Sequence, residues 1–216
     1  MDEWTQRRAR MVEEQIEARG IHDPDVLAAM RRVPREDFVP EAMRAWACDD
    51  SPLSIGDGQT ISQPYIVALM IAAAAIRPGG RVLEVGTGSG YAAAVMAELA
   101  AHVYTVERIE ALAAQAAGRF ARLGCTNIEL RTGDGSGGWP EAAPFDAILV
   151  AASGPCVPEV LRAQLAPGGR LVMPVDDGWL QRLVCVTREA AGSYREDFLC
   201  DVRFVPLIGA HGWEGA

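Results

Sequence analysis

Residues 82–90 constrain the fold of this chain more than any other stretch, because a short apolar run there leads directly into three alternating glycines. Gly86, Gly88 and Gly90 permit a tight turn and a close backbone approach to a ligand, which a Cβ atom would obstruct. A helical pattern over residues 91–101 follows at once, so the free N–H groups of its first turn would face that ligand. Strand, glycine turn and helix predict a doubly wound, Rossmann-like α/β domain with a nucleotide-type cofactor site.

The spacing of the glycines discriminates between cofactors. A dinucleotide fingerprint requires G-x-G-x-x-G, whereas this chain has G-x-G-x-G, with Tyr91 where the last glycine would stand. Glu84 lies two residues before the first glycine. A carboxylate there would repel a pyrophosphate but would suit a ligand that carries ammonium and sulfonium charge. The pattern favours S-adenosylmethionine, and the alternative is a glycine turn that binds nothing.

Two further acids follow the next predicted strands. A β-rich run over residues 102–107 ends in Glu107, about 20 residues after Gly86, which is the usual distance for an acid that binds ribose hydroxyls. The run 127–131 leads to Asp134, where a carboxylate between two glycines can accept a hydrogen bond from an adenine amino group. Each acid alone would more often be a solvated loop residue. Together they lie at successive strand ends, where open α/β sheets bind ligands.

Charge and composition exclude several classes of function. The 216-residue chain has a formal net charge of −9, which argues against a broad surface for nucleic acid. All 20 basic residues are arginine, so chemistry that depends on lysine is excluded. The spacings of the three histidines and five cysteines match no metal-binding motif. The odd number and scattered positions of the cysteines predict reduced thiols and no disulfide framework. The longest apolar run, residues 65–76, is shorter than the roughly 17 residues that span a bilayer, and no signal-peptide pattern is present. We expect a cytoplasmic monomer without membrane partners.

Apolar periodicity and chain breakers predict the N-terminal elements. We expect a helix over residues 5–19 that ends at Gly20, and a second, short helix that begins with Pro24. A proline-bounded connector follows at residues 33–40. Residues 49–63 are rich in Asp, Gly, Ser and Thr, and are expected to form an ordered loop.

Beyond this loop, strands and helices are predicted to alternate. An apolar helix over residues 64–76 comes first, and the last helix is predicted at 157–165. The strands are predicted near residues 81–85, 102–107, 127–131, 145–151 and 170–175. Two closing runs, 180–187 and 194–204, have no helix between them. We therefore expect a mostly parallel sheet with an antiparallel C-terminal edge.

A second motif lies in the loop before the cofactor domain, where residues 55–64 read I-G-D-G-Q-T-I-S-Q-P. Here the sequence closely resembles the protein-L-isoaspartate (D-aspartate) O-methyltransferase family, whose I-G-x-G-x-T-I-S-x-P signature is intact. The resemblance extends over nearly the whole chain and includes the runs 33–39, 82–90, 106–109, 133–135, 144–148 and 202–207. One departure is visible, because Asp176 follows Val175 where a glycine is expected.

The resemblance implies a class I, S-adenosylmethionine-dependent methyltransferase that acts on damaged proteins and peptides. The expected reaction is methyl transfer to the free carboxylate of an L-isoaspartyl residue, with S-adenosylhomocysteine as product. The ester then collapses to a succinimide, whose hydrolysis returns some normal aspartate. A carboxylate with a pKa of roughly 4 is already ionised at neutral pH, so it needs no general base.

The family pattern also assigns roles to individual residues. Ser62 is the expected catalytic residue, because its hydroxyl can hold one carboxylate oxygen in line without adding charge. Pro206 fits a sheet edge left open for an extended peptide. The expected cofactor-binding residues are Glu84, Gly86, Thr87, Gly88, Ser89, Gly90, Glu107, Arg108, Asp134 and Gly135. The expected substrate-binding residues are Thr60, Ile61, Gln63, Val205 and Pro206.

On this basis residues 1–63 form an N-terminal helical segment with the substrate loop, and residues 64–216 form the cofactor-binding core, in one compact unit. Two other hypotheses are a methyltransferase of another substrate class and a non-catalytic homologue. Methylation of amino groups commonly uses an Asn/Asp-Pro-Pro-aromatic motif, whereas residues 151–155 read A-A-S-G-P. The intact Ser62 loop argues against a non-catalytic protein.

Overall fold

The computed structural model describes residues 2–214. Helix α1 (Glu3–Met11) begins where the Asp2 side chain accepts a hydrogen bond from the Thr5 amide at 2.8 Å, which satisfies one free donor of the first turn. The helix continues as a π-turn and a 3₁₀-turn as far as Gly20, which has a φ of 94°. The predicted first helix and its glycine end are confirmed, although the helix starts two residues earlier than expected.

Helix α2 (Pro24–Arg32) confirms the second prediction. The Asp23 carboxylate accepts from the amides of Asp25 and Val26, and proline occupies the first helical position, where no N–H is needed. The connector at residues 33–40 then begins in an extended conformation, because the residue before a proline avoids the helical region.

The loop prediction for residues 49–63 is only partly correct. A small antiparallel hairpin of β1 (Leu53–Gly56) and β2 (Gln59–Ile61) lies inside it. Its turn uses positive φ angles at Gly56, Asp57 and Gly58, which explains the glycines there. The two strands are too short for an alternating pattern to stand out in the sequence.

A seven-stranded sheet forms the centre of the molecule, in the order β5-β4-β3-β6-β7-β8-β9. The strands are β3 (Arg81–Val85), β4 (His102–Glu107), β5 (Ile128–Thr132), β6 (Phe145–Val150), β7 (Leu165–Asp176), β8 (Gln181–Arg188) and β9 (Tyr194–Val202). The first five strands in this order, from β5 at the edge to β7, pair in parallel with their neighbours. Strand β8 pairs antiparallel with β7, and β9 pairs antiparallel with β8. This confirms the predicted sheet and its antiparallel edge. The strand order reverses between β3 and β6, and ligands bind at the carboxyl ends of strands at such a point.

Four further helices cover the sheet, namely α3 (Pro64–Ala74), α4 (Tyr91–Ala97), α5 (Glu110–Leu123) and α6 (Glu159–Ala163). Helix α4 ends four residues earlier than the predicted pattern over 91–101, because the amides of Glu98 and Leu99 bond three residues back. Helix α6 begins two residues later than predicted, because Pro158 disfavours helical geometry at Val157 and is itself extended, and it ends at Ala163 because β7 begins at Leu165.

Two apolar clusters lie on opposite faces of the sheet. Successive strand residues alternate between them, as with Val82 in one and Leu83 in the other. Residues of α1 and α2, such as Met11 and Met30, belong to the same cluster as α3 and α4. The N-terminal segment therefore packs against α3 and α4 on one face of the sheet. Among residues 2–214, no helix is both long enough and apolar enough to cross a bilayer.

Candidate active site

A cavity opens at the carboxyl ends of β3, β4 and β6, at the point where the strand order reverses. Nearly all residues expected to bind the cofactor line it. Those that do are Glu84, Gly86, Thr87, Gly88, Ser89, Glu107, Arg108 and Gly135. The other side of the cavity is closed by the hairpin, by Ser62 just after it, and by the C-terminal tail, which is the segment 203–214 after β9. The residues that line this side include Thr60, Ile61, Ser62, Val205, Pro206 and Ile208.

The glycine loop owes its shape to positive φ angles and to close packing. Gly86 and Gly88 have φ angles of 93° and 53°, and the Gly86 amide donates to the Val106 carbonyl at 2.8 Å. Gly90 does not line the cavity. A Cβ atom there would lie 2.7 Å from the Phe120 ring, so this glycine lets α4 and α5 approach each other.

Glu107 fixes the glycine loop to the end of β4. One carboxylate oxygen accepts from the Gly88 amide at 2.8 Å and the other from the Ile109 amide at 2.9 Å. The residue is buried but lines the cavity. Each carboxylate oxygen has a second lone pair, so the group can accept further hydrogen bonds from a ligand.

Glu84 is a buried carboxyl group without a counter-charge. It is 1% exposed and accepts a hydrogen bond from the Thr105 hydroxyl at 2.5 Å, which in turn lies 2.6 Å from the Thr87 hydroxyl. Burial raises the pKa of Glu84 to about 8, against the effect of the Thr105 hydrogen bond. No arginine or histidine within residues 2–214 forms an ion pair with it. A ligand that carries an ammonium or sulfonium group would supply the missing positive charge, so the residues present fit S-adenosylmethionine.

Asp134 lies outside the lining of the cavity. Its two oxygens accept from the amides of Ser136 and Ala210, each at 2.8 Å. Loss of hydration raises the pKa of Asp134, but the hydrogen bonds from Ala210 and Ser136 outweigh it and hold that pKa below its ordinary value. The carboxylate is thus used to anchor the C-terminal tail, while its neighbour Gly135 lines the cavity. The adenine contact of Asp134 stays a prediction.

A groove adjoins the cavity on the side of the hairpin and the tail. It is lined by Pro52, Thr60, Ser62, Gln63, Ile66, Ala151, Asp201, Val202, Arg203, Phe204 and Val205. Four of these residues, Thr60, Ser62, Ala151 and Val205, line the cavity as well. The two spaces therefore meet beside Ser62, which is half-buried between them.

The tail is held over the end of β6 by backbone hydrogen bonds. The Ser153 amide donates to the Val205 carbonyl and the Leu207 amide donates to the Ser153 carbonyl, each at 2.8 Å. Pro206 stands between these two bonds, at a position where no N–H is required towards Ser153. The tail thus borders both the cavity and the groove with its backbone fixed.

Several residues of the site carry no chemical signal in the sequence. Ala151 has no polar side chain, and only its place just after β6 could have indicated it. Ile208 likewise lies beyond the expected tail residues. Arg35 was not expected either, although its guanidinium donates to the Ser62 carbonyl at 2.7 Å. Its position in the motif over residues 33–39 is the only hint.

Comparison with known proteins gives consistent matches over almost the whole chain. A model of the family described as protein-L-isoaspartate(D-aspartate) O-methyltransferase (PCMT) matches residues 6–212. Protein-L-isoaspartate O-methyltransferase 1 of Rhodopseudomonas palustris (strain HaA2) is 62% identical over 208 residues, which make up 96% of this chain and 85% of that protein. The protein-L-isoaspartate O-methyltransferase of Pelotomaculum thermopropionicum is 55% identical over 95% of this chain and 90% of its own length.

Two solved structures share the fold. A protein-L-isoaspartate O-methyltransferase superposes with a TM-score of 0.86 at 28% identity, over 96% of this chain and 67% of that chain. A Plasmodium falciparum beta-aspartate methyltransferase (PCMT), in complex with S-adenosyl-L-homocysteine, gives a TM-score of 0.80 at 30% identity. This second match covers 93% of this chain and 98% of the other.

Proposed function

The chain belongs to the protein-L-isoaspartate(D-aspartate) O-methyltransferase family, and from this membership we propose how its residues divide the work of the reaction. It is a class I, S-adenosylmethionine-dependent enzyme that methylates L-isoaspartyl residues of damaged proteins and so initiates their repair. When bound, the cofactor supplies an electrophilic methyl group. The chain's own residues bind the two reactants, orient them and exclude water.

The meeting of the cavity and the groove at Ser62 is the main support for this division. The cavity is lined by the buried acid Glu84 and by the glycine loop, which suit the cofactor. The groove runs along the end of β9 and the start of the tail, from Asp201 to Val205. Substrate carboxylate and methyl donor can approach each other only where the two spaces join. Holding two reactants in line at such a junction supplies much of the rate of a transfer reaction.

Ser62 is proposed to position the isoaspartyl carboxylate. The nucleophile belongs to the substrate and is ionised at neutral pH, so the hydroxyl needs only to donate one hydrogen bond to a carboxylate oxygen. The neighbouring Thr60, Ile61 and Gln63 are proposed to shape the binding site for the damaged residue. Val205 and Pro206 are proposed to contact the peptide backbone from the tail.

The cofactor is proposed to lie along the glycine loop. Glu84 would balance its positive charge, Glu107 would accept hydrogen bonds from the ribose hydroxyls, and Asp134 with Gly135 would contact the adenine. The remaining contacts are assigned to loop and strand-end residues, namely Gly86, Thr87, Gly88, Ser89, Gly90 and Arg108. The close packing of Gly90 against Phe120 supports an indirect role for that glycine.

The setting in which the enzyme acts is also a proposal. We propose a cytoplasmic monomer whose partners are isoaspartyl proteins and peptides, without nucleic acid or membrane. The net charge of −9 and the five free cysteines support this. Residues 1–63 and 64–216 are proposed to form one compact unit, which is supported by the shared apolar cluster of α1, α2 and α3.

Replacement of Ser62 by alanine tests the proposed junction. Because the loss misaligns the carboxylate without touching the cofactor, turnover should fall on the order of 100-fold, while the affinity for S-adenosylhomocysteine stays unchanged. Ser54→Ala is the control, since Ser54 is exposed on the hairpin that precedes Ser62 and lines neither space. If Ser62→Ala turns over as fast as the wild type at saturating peptide, another group must hold the carboxylate.

A further inference from the structure

We propose that two buried arginines, Arg35 and Arg119, are positioning residues that fix the Ser62 loop relative to the glycine loop through the connector at residues 33–40. The Arg35 half of this proposal rests on the proposed role of Ser62. Neither arginine lines the cavity or the groove. Each ties one of the two loops to the same short piece of backbone, so that the gap across which the methyl group moves is set by the connector.

Arg35 holds the substrate side. It has no solvent exposure, and its Nε and Nη2 donate to the carbonyls of Ala47 and Ser62, each at 2.7 Å. Its guanidinium also lies over the ring of Tyr91, 4.8 Å from the centroid. Tyr91 is the first residue of α4 and lines the cofactor cavity. One buried side chain therefore contacts the loop of Ser62 and the start of the helix that follows the glycine loop.

Arg119 holds the cofactor side. It projects from α5, is 9% exposed, and donates through Nη1 to the Ser89 carbonyl at 3.1 Å. Its Nε donates to the Asp37 carbonyl of the connector at 3.2 Å. Phe38 of the connector packs edge-on against Tyr91, with ring centroids 5.5 Å apart. The connector is thus bonded to the glycine loop by Arg119 and to the substrate loop by Arg35.

Both arginines bond to carbonyl oxygens, and neither forms an ion pair with a carboxylate within residues 2–214. Burying a cation in this way is costly, the more so because Nη1 of Arg35 has no hydrogen-bond partner within residues 2–214, and an apolar side chain often serves stability as well. What arginine adds is a rigid, planar fork whose charged donors bond in fixed directions. The two forks therefore favour a geometric purpose at the loops over a contribution to stability alone.

Arg170 provides a control for simple destabilisation. It is half-buried on β7, and its Nη1 donates to the Ala73 carbonyl of α3 at 3.0 Å. It thus bonds to a carbonyl oxygen, as Arg35 and Arg119 do, but it lines neither the cavity nor the groove and does not contact the connector. Arg170→Met should lower the melting temperature without changing the kinetic constants of the folded enzyme.

The test compares Arg35→Met, Arg119→Met and Arg170→Met with the wild type, well below their melting temperatures. Arg35→Met should lower kcat for an isoaspartyl peptide on the order of 100-fold, because small misplacements of reactants have effects of that size, and should affect the dissociation constant of S-adenosylhomocysteine less. Arg119→Met should do the reverse. The Ser89 carbonyl loses its charged donor, so the glycine loop must be ordered again on binding, and S-adenosylhomocysteine should bind about tenfold more weakly. If Arg35→Met does not fold, Arg35→Lys tests the same point, because it keeps the charge but loses the fork.

A double variant separates positioning from a merely structural role. If Arg35 acts through Ser62, kcat of the Ser62→Ala/Arg35→Met enzyme should be close to that of Ser62→Ala alone, since residues in one unit are not additive. Fully additive losses, or an equal loss of kcat in Arg170→Met, would overturn the proposal. If the wild-type enzyme does not methylate an isoaspartyl peptide, the proposed function is refuted instead. If Ser62→Ala turns over as fast as the wild type, the proposed role of Ser62 is refuted.

Discussion

Cofactor binding should release a proton from Glu84. With a pKa of about 8, this carboxyl group is mostly protonated at pH 7 in the free enzyme. A positively charged ligand favours the ionised form, and ionising the group at pH 7 costs about 1.4 kcal/mol, the equivalent of one pKa unit. Binding should therefore release nearly one proton at pH 7, and affinity should rise by up to about tenfold per pH unit until the pH reaches the pKa.

Calorimetric titration with S-adenosylmethionine in two buffers of different ionisation enthalpy counts these protons. Glu84→Gln removes the titrating group but keeps its size and its hydrogen-bonding partner Thr105. At pH 6 the ligand's own amino group, whose ordinary pKa is about 8, is protonated both free and bound, so the protons released there belong to Glu84. Glu110→Gln is the control, because Glu110 is exposed and does not line the cavity. This variant should release as many protons on binding as the wild type. If Glu84→Gln releases as many protons as the wild type, or the wild type releases none, the account of this site is wrong.

Two further changes test the cofactor side of the fold. Glu107→Ala should weaken S-adenosylhomocysteine by about 1.5–3 kcal/mol, the range for hydrogen bonds to a charged group; an unchanged dissociation constant by calorimetry would remove Glu107 from the site. Gly90→Ala should lower the free energy of unfolding in urea by about 1–3 kcal/mol beyond the strain of its positive φ, because the new Cβ would lie 2.7 Å from Phe120. Gly20→Ala is the control, because Gly20 has a φ of 94° against 90° at Gly90 but nothing within 4 Å of the new Cβ; a loss as large as that of Gly90→Ala would contradict the packing argument.

Much of the fold follows from local sequence signals. The strand at 81–85, the glycine turn and Glu107 could be predicted because apolar periodicity and glycine spacing act over a few residues. The antiparallel edge followed from the missing helix between the last two strands. The hairpin over residues 53–61 escaped prediction, because strands of three or four residues carry too little pattern.

The rest of the site depends on contacts between residues far apart in the chain. Arg35 meets the Ser62 carbonyl across 27 residues, and Asp134 meets the Ala210 amide across 76. No spacing rule links such pairs, because tertiary packing brings them together. Ala151 lines both spaces without any polar group, so its identity carried no signal. Sequence patterns therefore indicated the residues that line the cavity more completely than those that line the groove.

The central claim is that this enzyme recognises the carboxylate of an isoaspartyl residue. The most direct measurement is transfer of a labelled methyl group from S-adenosylmethionine to two peptides that differ only in one residue, isoaspartyl in one and normal aspartyl in the other. Methylation of the isoaspartyl peptide alone, lost on prior conversion of that residue to aspartate, is the predicted result. Equal methylation of the two peptides, or methylation of neither, would contradict the account.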